Sequence, residues 1–407
     1  VLICDQVNPI LNEILTKNGL EVTYEPEITP EQISEKIGSY EVVVVRSRTK
    51  LVKELIEKAD NCKIIARVGV GLDNIDQVAA KEKNIKVINA VEGAMNAVAE
   101  LVIGFMLSMA REIPRADREV RNGNWIKKEL MGSELRGKYL GIVGLGNIGK
   151  RLARLARALN MNIIGYDVVP IDQEFSKEVG LMQADLDTLL SSSDYVSLHV
   201  TLIDSTHHMI NSEKIAMMKK SAHIINTSRG GVIDEEVLYN ALKNGDLRGA
   251  ALDVANPEPI SGYHELCSLK NCIIVPHIGT ATSECRTDMA RIAAENICNH
   301  YELGEDMEEN LIKGMKRIPL FNEVGIKKTI CGPITHVPDG NFLAGPAPGL
   351  QNFWMFCGTS FGIAQGGGAG KYMAQWMVHG DADINMLEFD CRRYLGWTNQ
   401  DYAWKRS

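Results

Sequence analysis

Three glycines, Gly144, Gly146 and Gly149, stand between an apolar run, Tyr139–Val143, and an amphipathic segment, Lys150–Leu159. A second apolar run, Asn162–Tyr166, follows and ends at Asp167, 18 residues after Gly149. A glycine triplet alone is a weak signal. Placed between a strand and a helix, with a second strand and a carboxylate beyond, it makes a complete mononucleotide-binding unit. Gly144 permits the tight turn, Gly146 lets the backbone approach a pyrophosphate, and Gly149 lets helix and strand pack closely. The amides of Asn147 and Ile148, at the helix N-terminus, are placed to hold the phosphates.

Asp167 selects among dinucleotides. Its carboxylate would bond the adenosine ribose hydroxyls and repel a 2′-phosphate. Val168-Val169-Pro170 follow it, with no Arg to receive such a phosphate, so NAD is favoured over NADP.

The rest of residues 1–316 repeats the alternation of short β-branched runs and helix-period segments. Strands are predicted at Val1–Cys4, Val42–Arg46, Ile64–Arg67, Lys86–Asn89, Tyr195–Leu198, His223–Asn226, Gly249–Asp253 and Cys272–Val275, besides the two already named. Helices are predicted between most of them, as at Val98–Ala110 and Glu235–Lys243. This pattern gives parallel sheets with helices on both faces, and ten strands call for two α/β domains.

Composition excludes several function classes. The 407 residues are 45% hydrophobic and 24% charged, as in globular proteins. The net charge of −8, without a basic tract, argues against nucleic-acid binding. The longest apolar-rich stretch, Leu101–Ala110, is too short for a membrane span. The opening Val1–Cys4 run reads as a strand, not a signal peptide. Nine cysteines, an odd number without a CxxC, read as reduced, mostly buried thiols of a cytoplasm-like compartment. No His/Cys/Asp cluster has metal-ligand spacing, so no metal is expected.

Three further segments place polar residues at strand ends. In Ile224–Asp234, Arg229 follows a buried strand and precedes two glycines, a position suited to bidentate carboxylate binding. Leu252–Pro259 carries Asp253 and Glu258. Val275–Thr282 carries His277, whose imidazole can exchange protons near neutral pH, and a neighbouring carboxylate would fix its tautomer. Read singly, Arg229 is also a plausible surface ion pair, Glu258 a solvated acid and His277 a capped core histidine. His199 reads as structural, and His207, His208 and His223 as surface or packing residues.

Residues 1 to about 312, roughly three quarters of the chain, resemble the D-2-hydroxyacid dehydrogenase family. The motifs are Val45–Lys50, Arg67–Asp76, Asn96–Glu100, the glycine loop, Asn226–Gly231, Glu258-Pro259 and Pro276–Gly279, in the family's order. Within the family the phosphoglycerate dehydrogenase branch is the nearest match. The resemblance implies two doubly wound parallel-sheet domains: a Rossmann nucleotide domain over 93–276, and a flavodoxin-like substrate domain from 1–92 and 277–312. It implies His277 as proton donor to the keto oxygen, Glu258 as its partner, and Arg229 as the binder of the substrate carboxylate. The amides of Val68, Gly69 and Val70 would form a second carboxylate cradle. Arg46 and Ser47 match positions facing a 3-phosphate, and Thr227 and Asp253 match positions at the nicotinamide end. The reaction implied is oxidation of 3-phospho-D-glycerate to 3-phosphohydroxypyruvate by NAD, entering L-serine synthesis. Val254-Ala255-Asn256-Pro257 departs from that branch and looks more like hydroxypyruvate/glyoxylate reductases. A homodimer or homotetramer built on the Ala97–Trp125 helix and arm is also implied.

Composition breaks at residue 317. Positions 317–407 hold 13 of the 36 glycines, four of the five tryptophans and six of the eight phenylalanines. Gly332-Pro333, Gly345–Leu350, Gly362–Lys371 and Glu388–Asp390 make this segment similar to the end of the FAD domain of dimethylglycine/sarcosine dehydrogenases. The one GxGxxG unit of the chain belongs to the NAD domain, so no FAD is expected and the segment reads as a partial, glycine- and aromatic-rich appendage. Two other readings stand beside the dehydrogenase: a non-enzymatic, NAD-sensing interaction protein and a flavin-dependent amine demethylase fragment.

Overall fold

Val42–Val45 is buried along its whole length, as a strand must be when helices cover both faces of its sheet. In the computed structural model, which describes residues 1–302 and two short strands further on, it is central to the first of two parallel sheets. That sheet comprises β1 (Leu2–Ile3), β2 (Thr23–Tyr24), β3 (Val42–Val45), β4 (Ile64–Arg67) and β5 (Lys86–Asn89), in the order β2-β1-β3-β4-β5. The second sheet comprises β6 (Tyr139–Val143), β7 (Asn162–Tyr166), β8 (Leu181–Gln183), β9 (Tyr195–Leu198), β10 (His223–Asn226), β11 (Gly249–Leu252) and β12 (Cys272–Ile274). Its order is β12-β11-β10-β9-β6-β7-β8. The first order is the flavodoxin-like one and the second the Rossmann one, each reversing next to its first strand.

Alternation along the strands builds four apolar layers. In β3, Val42 and Val44 join one core with Ile3, Ile64 and Ala66, while Val43 and Val45 join another with Leu2 and Ile65. In the second sheet, Val196 and Leu198 face one core with Ile224 and Leu252, while Tyr195 faces the other with Ile142, Ile163 and Ile225. The Ser283–Glu302 helix returns to the first sheet, where Met289, Ala293 and Ile297 pack with Ile3, Val42 and Val44.

The expected strands are present, with ends shifted by a residue at β1, β3, β11 and β12. Two edge strands, β2 and β8, were not foreseen; they are short, and β8 leaves Met182 and Gln183 exposed. The helix expected over Val98–Ala110 runs over Val91–Arg111, long and apolar enough to cross a membrane by length and composition. Within the protein Ala94, Val98, Val102, Phe105 and Met106 are buried, and the helix packs on the Asn147–Ala158 and Ser283–Glu302 helices as a core element. Cys4, Cys62, Cys285 and Cys298 are buried as expected, whereas Cys267 is exposed.

The chain divides into two compact units, Val1–Leu311 and Ile312–Ser407. In the second, β13 (Leu343–Pro346) and β14 (Trp354–Cys357) pair antiparallel. The other residues on which the flavoprotein resemblance rests lie outside the described ones.

Candidate active site

The carboxyl ends of both sheets' strands open onto two adjoining cavities of about 460 and 610 Å³, which share Gly71, Asp73, Arg229 and His277. The smaller cavity runs from the glycine loop to β10. Gly144 has φ +94°, a conformation that L side chains rarely adopt, and a Cβ on Gly149 would collide with the Gly144 carbonyl. A Cβ on Gly146 would meet no atom within 4 Å, so the backbone there is open to a ligand. The helix beginning at Asn147 has no side-chain cap, which leaves its first amides to an anion. Gly146, Asn147, Ile148 and Gly149 line this cavity together with Thr227 and Asp253. Thr227 Oγ1 is buried without a hydrogen-bond partner in the protein, as expected of a hydroxyl reserved for a ligand.

These residues fit an NAD. Gly144 and Asp167 are not among the lining residues. The Asp167 carboxylate accepts the Leu145 amide at 2.6 Å and the Val169 amide at 3.0 Å, which ties the end of β7 to the glycine loop. His199 lies on the cavity wall, with Nε2 2.9 Å from Ser197 Oγ.

His277 follows β12 with φ +53°, a strained backbone for a non-glycine residue. Asp253 over-determines it. The carboxylate, 2% exposed at the end of β11, accepts the amides of Ile278 at 2.6 Å and Gly279 at 2.8 Å, while the Asp253 carbonyl accepts the His277 amide at 2.9 Å. Burial pushes the Asp253 pKa up, against the pull of those two amides. The side chain expected at the nicotinamide end thus anchors the histidine loop while lining the cavity. His277 Nδ1 lies 2.8 Å from Glu258 Oε2, and Glu258 Oε1 accepts the Ala255 amide at 3.1 Å. Nε2 is left as the ring nitrogen able to exchange a proton with a substrate.

Arg229 is aimed by a turn that Asn226 closes. Asn226 Oδ1 accepts the Ser228 amide and hydroxyl, and its Nδ2 donates to the Arg229 carbonyl at 2.8 Å. Across the crevice, Arg46, Ser47, Val68, Gly69 and Val70 all line the larger cavity. A second buried carboxylate, Asp5 at the end of β1, holds the loop after β3: it accepts the Arg46 amide, Arg48 Nε at 2.9 Å and Thr49 Oγ1 at 2.8 Å.

The sequence reading assigned no role to four further lining residues, Arg67, Asp73, Asn74 and Arg286. Arg67, Asp73 and Asn74 lie inside a motif that had been singled out, but their contacts depend on loops distant in sequence. Arg286 lies on the last described helix, with no local signal. Burial and the Arg229 charge push Arg67 down to about 10, and burial followed by the Arg286 charge lowers Arg46. Among the described residues, no metal-binding group of His, Cys, Asp and Glu is present.

Fold and site define a two-lobed, dinucleotide-binding α/β protein with a His–Glu pair near an arginine. Residues 103–279 match the family described as D-isomer specific 2-hydroxyacid dehydrogenase, NAD binding domain. The chain is 46% identical to hydroxypyruvate reductase of Thermotoga maritima over 273 residues, covering 67% of this chain and 88% of the relative. It is 43% identical to D-3-phosphoglycerate dehydrogenase of Methanocaldococcus jannaschii over 320 residues, covering 78% of this chain and 60% of the relative. The holo form of D-mandelate dehydrogenase from Rhodotorula graminis matches with a TM-score of 0.68 at 30% identity, over 73% of this chain and 92% of that one. The chain belongs to the D-isomer specific 2-hydroxyacid dehydrogenase family, and it spans less than two thirds of the phosphoglycerate dehydrogenase relative just named.

Proposed function

We propose that the protein is an NAD-dependent oxidoreductase interconverting 3-phospho-D-glycerate and 3-phosphohydroxypyruvate. The observation that carries this is the charge of the larger cavity. Arg46, Arg67, Arg229 and Arg286 line it, against only Asp73 and Glu258 among its acids. Burial, and after it the like charge of Arg286 on Arg46 and of Arg229 on Arg67, lowers the pKa of both arginines, and an anionic substrate relieves the repulsion. A substrate that carries both a carboxylate and a phosphate suits this group of cations.

The residues divide the work. Arg229 and the Val68–Val70 amides hold the carboxylate; Arg46, Ser47 and Arg286 face the phosphate. Gly146, Asn147, Ile148, Gly149 and Thr227 would hold NAD, with Asp167 on the ribose side, and bound NAD supplies the hydride acceptor. His277 takes the C2 hydroxyl proton on Nε2 and returns it to the keto oxygen in reverse. Glu258 on Nδ1 fixes the tautomer and stabilises the imidazolium.

Hydroxypyruvate is the second reading, supported by the T. maritima relative and by Val254-Ala255-Asn256-Pro257. NADH oxidation at 340 nm with 3-phosphohydroxypyruvate, hydroxypyruvate and glyoxylate separates them. Preference for the phosphorylated acid is expected; preference for either plain acid makes Arg46 and Ser47 bystanders. The same reading includes self-association through the Ala97–Trp125 arm, where Trp125 is 81% exposed, and sedimentation checks it.

A further inference from the structure

Arg229 and Asp73 come from opposite lobes, 156 positions apart, and meet across the crevice. Arg229 Nε and Nη2 both donate to Asp73 Oδ2, at 2.9 and 2.6 Å. Arg229 Nη1 donates to the Ser228 carbonyl at 2.6 Å. A guanidinium has five N–H donors on three edges. Asp73 takes the side edge formed by Nε and Nη2, and Ser228 takes one N–H of Nη1. One N–H each of Nη1 and Nη2 remains for a ligand, and the end edge of a guanidinium can grip a carboxylate with two parallel bonds.

The loop that carries Asp73 is tied down beside it. Its neighbour Asn74 donates from Nδ2 to the carbonyls of Arg46 at 2.6 Å and Thr49 at 2.7 Å, and accepts Arg67 Nε at 3.0 Å. Gly71 makes room for the pair, since a Cβ there would collide with Arg229 Nη2 and Asp73 Oδ2. Burial raises the Asp73 pKa, but the bonds and charge of Arg229 outweigh it and hold the carboxyl below its ordinary value. Asp73 is therefore ionised at neutral pH.

We propose that Asp73 is the positioning residue of Arg229: reaching from the other lobe, it fixes the guanidinium's side edge so that the end edge faces the substrate carboxylate. Asp73 touches no substrate atom in this role. The inference rests on the 2-keto acid reading above. It gives the loop after β4 a second task beyond its amide cradle, that of aligning the catalytic arginine of the other sheet.

The test uses the full chain with Asp73→Ala and Asp73→Asn, read by keto-acid KM, kcat and NADH affinity from nucleotide fluorescence. A charge-assisted bond of this kind is worth about tenfold or more in binding. Asp73→Ala is expected to raise keto-acid KM by at least about tenfold, with a smaller change in kcat and NADH affinity unchanged. Asp73→Asn keeps one acceptor oxygen and is expected to recover part of the loss; it also carries the test if the alanine variant does not fold. An unchanged KM overturns the proposal, and so does a lower one, which would make Asp73 a competitor for the guanidinium. Parallel loss of KM and NADH affinity in both variants also overturns it, in favour of a merely structural pair. A wild-type protein that reduces no 2-keto acid sinks this inference together with the functional reading, whereas an active wild type with insensitive variants sinks this inference alone.

Discussion

The five-stranded sheet delivers Arg46, Ser47, Arg67 and the Val68–Gly71 amides to the crevice, and the seven-stranded sheet delivers the glycine loop, Arg229, Glu258 and His277. Each uses the same device to fix its loops, a carboxylate 2% exposed at the end of a parallel strand: Asp5 after β1 and Asp253 after β11. The loads differ. Asp5 secures a loop bearing cations, while Asp253 secures a strained turn bearing a histidine. On the reading proposed above, the first lobe supplies most of the cations, and the second supplies the cofactor site, the proton carrier and the arginine for the carboxylate.

The strongest test of that division is His277→Ala. Losing a positioned proton donor costs about 10²–10⁴-fold in turnover, and kcat is expected to fall accordingly while NADH still binds. Loss of NADH binding in this variant would place the histidine in nucleotide recognition instead.

One acid-sensitive group lies in the nucleotide lobe. His223 on β10 is 6% exposed, stacks on Tyr195 at 4.9 Å, and is pushed down to about 4 by burial, with the Arg248 charge adding. An unfolded histidine titrates near 6.5, so the unfolded state binds the extra proton first. The contribution is therefore intact above about pH 6.5 and is lost as the pH falls toward 4, by about 3 kcal/mol at most. Denaturant unfolding of His223→Phe between pH 7 and 4.5 is expected to show a flatter loss than wild type; an equal slope would shift the acid-labile group elsewhere.

Arg286→Gln sharpens the comparison from the other lobe. It is expected to raise KM for 3-phosphohydroxypyruvate about tenfold, as for one lost charged contact, and to leave KM for glyoxylate unchanged. Equal loss for both substrates would assign Arg286 to folding or to the shared carboxylate. The smallest effect concerns the segment after the two lobes. Truncation after Lys316 is expected to leave NADH oxidation unchanged, and lost activity would show that the two sheets are not sufficient.

Much of this architecture is legible in the sequence because buried parallel strands leave strong local marks. The runs at Val42–Val45, Tyr195–Leu198 and His223–Asn226 announce themselves by β-branched and aromatic side chains on both faces. The edge strands β2 and β8 do not stand out, because they are only two and three residues long and are mostly uncovered, although Thr23–Tyr24 has strand-forming side chains. The helix start at Val91 is also hidden: no side chain caps it, and the residues buried before Val98 are the small Gly93, Ala94 and Ala97. For the site, the glycine loop is legible from local spacing, whereas Glu258 and His277 are picked out by the family resemblance, and the structure brings those two together at 2.8 Å.

The sequence by itself determined the αβ alternation, the glycine turn and the residue types suited to nucleotide binding and proton exchange, because each depends on neighbours within a turn or a strand. Only the tertiary structure decided which groups face one another. Asp73 reaches Arg229 across 156 positions, Asp253 turns inward to hold the His277 loop, and Arg286 meets Arg46 from the last described helix. Those pairings follow from strand order and helix return, which bring distant segments to one crevice, and no local pattern records them.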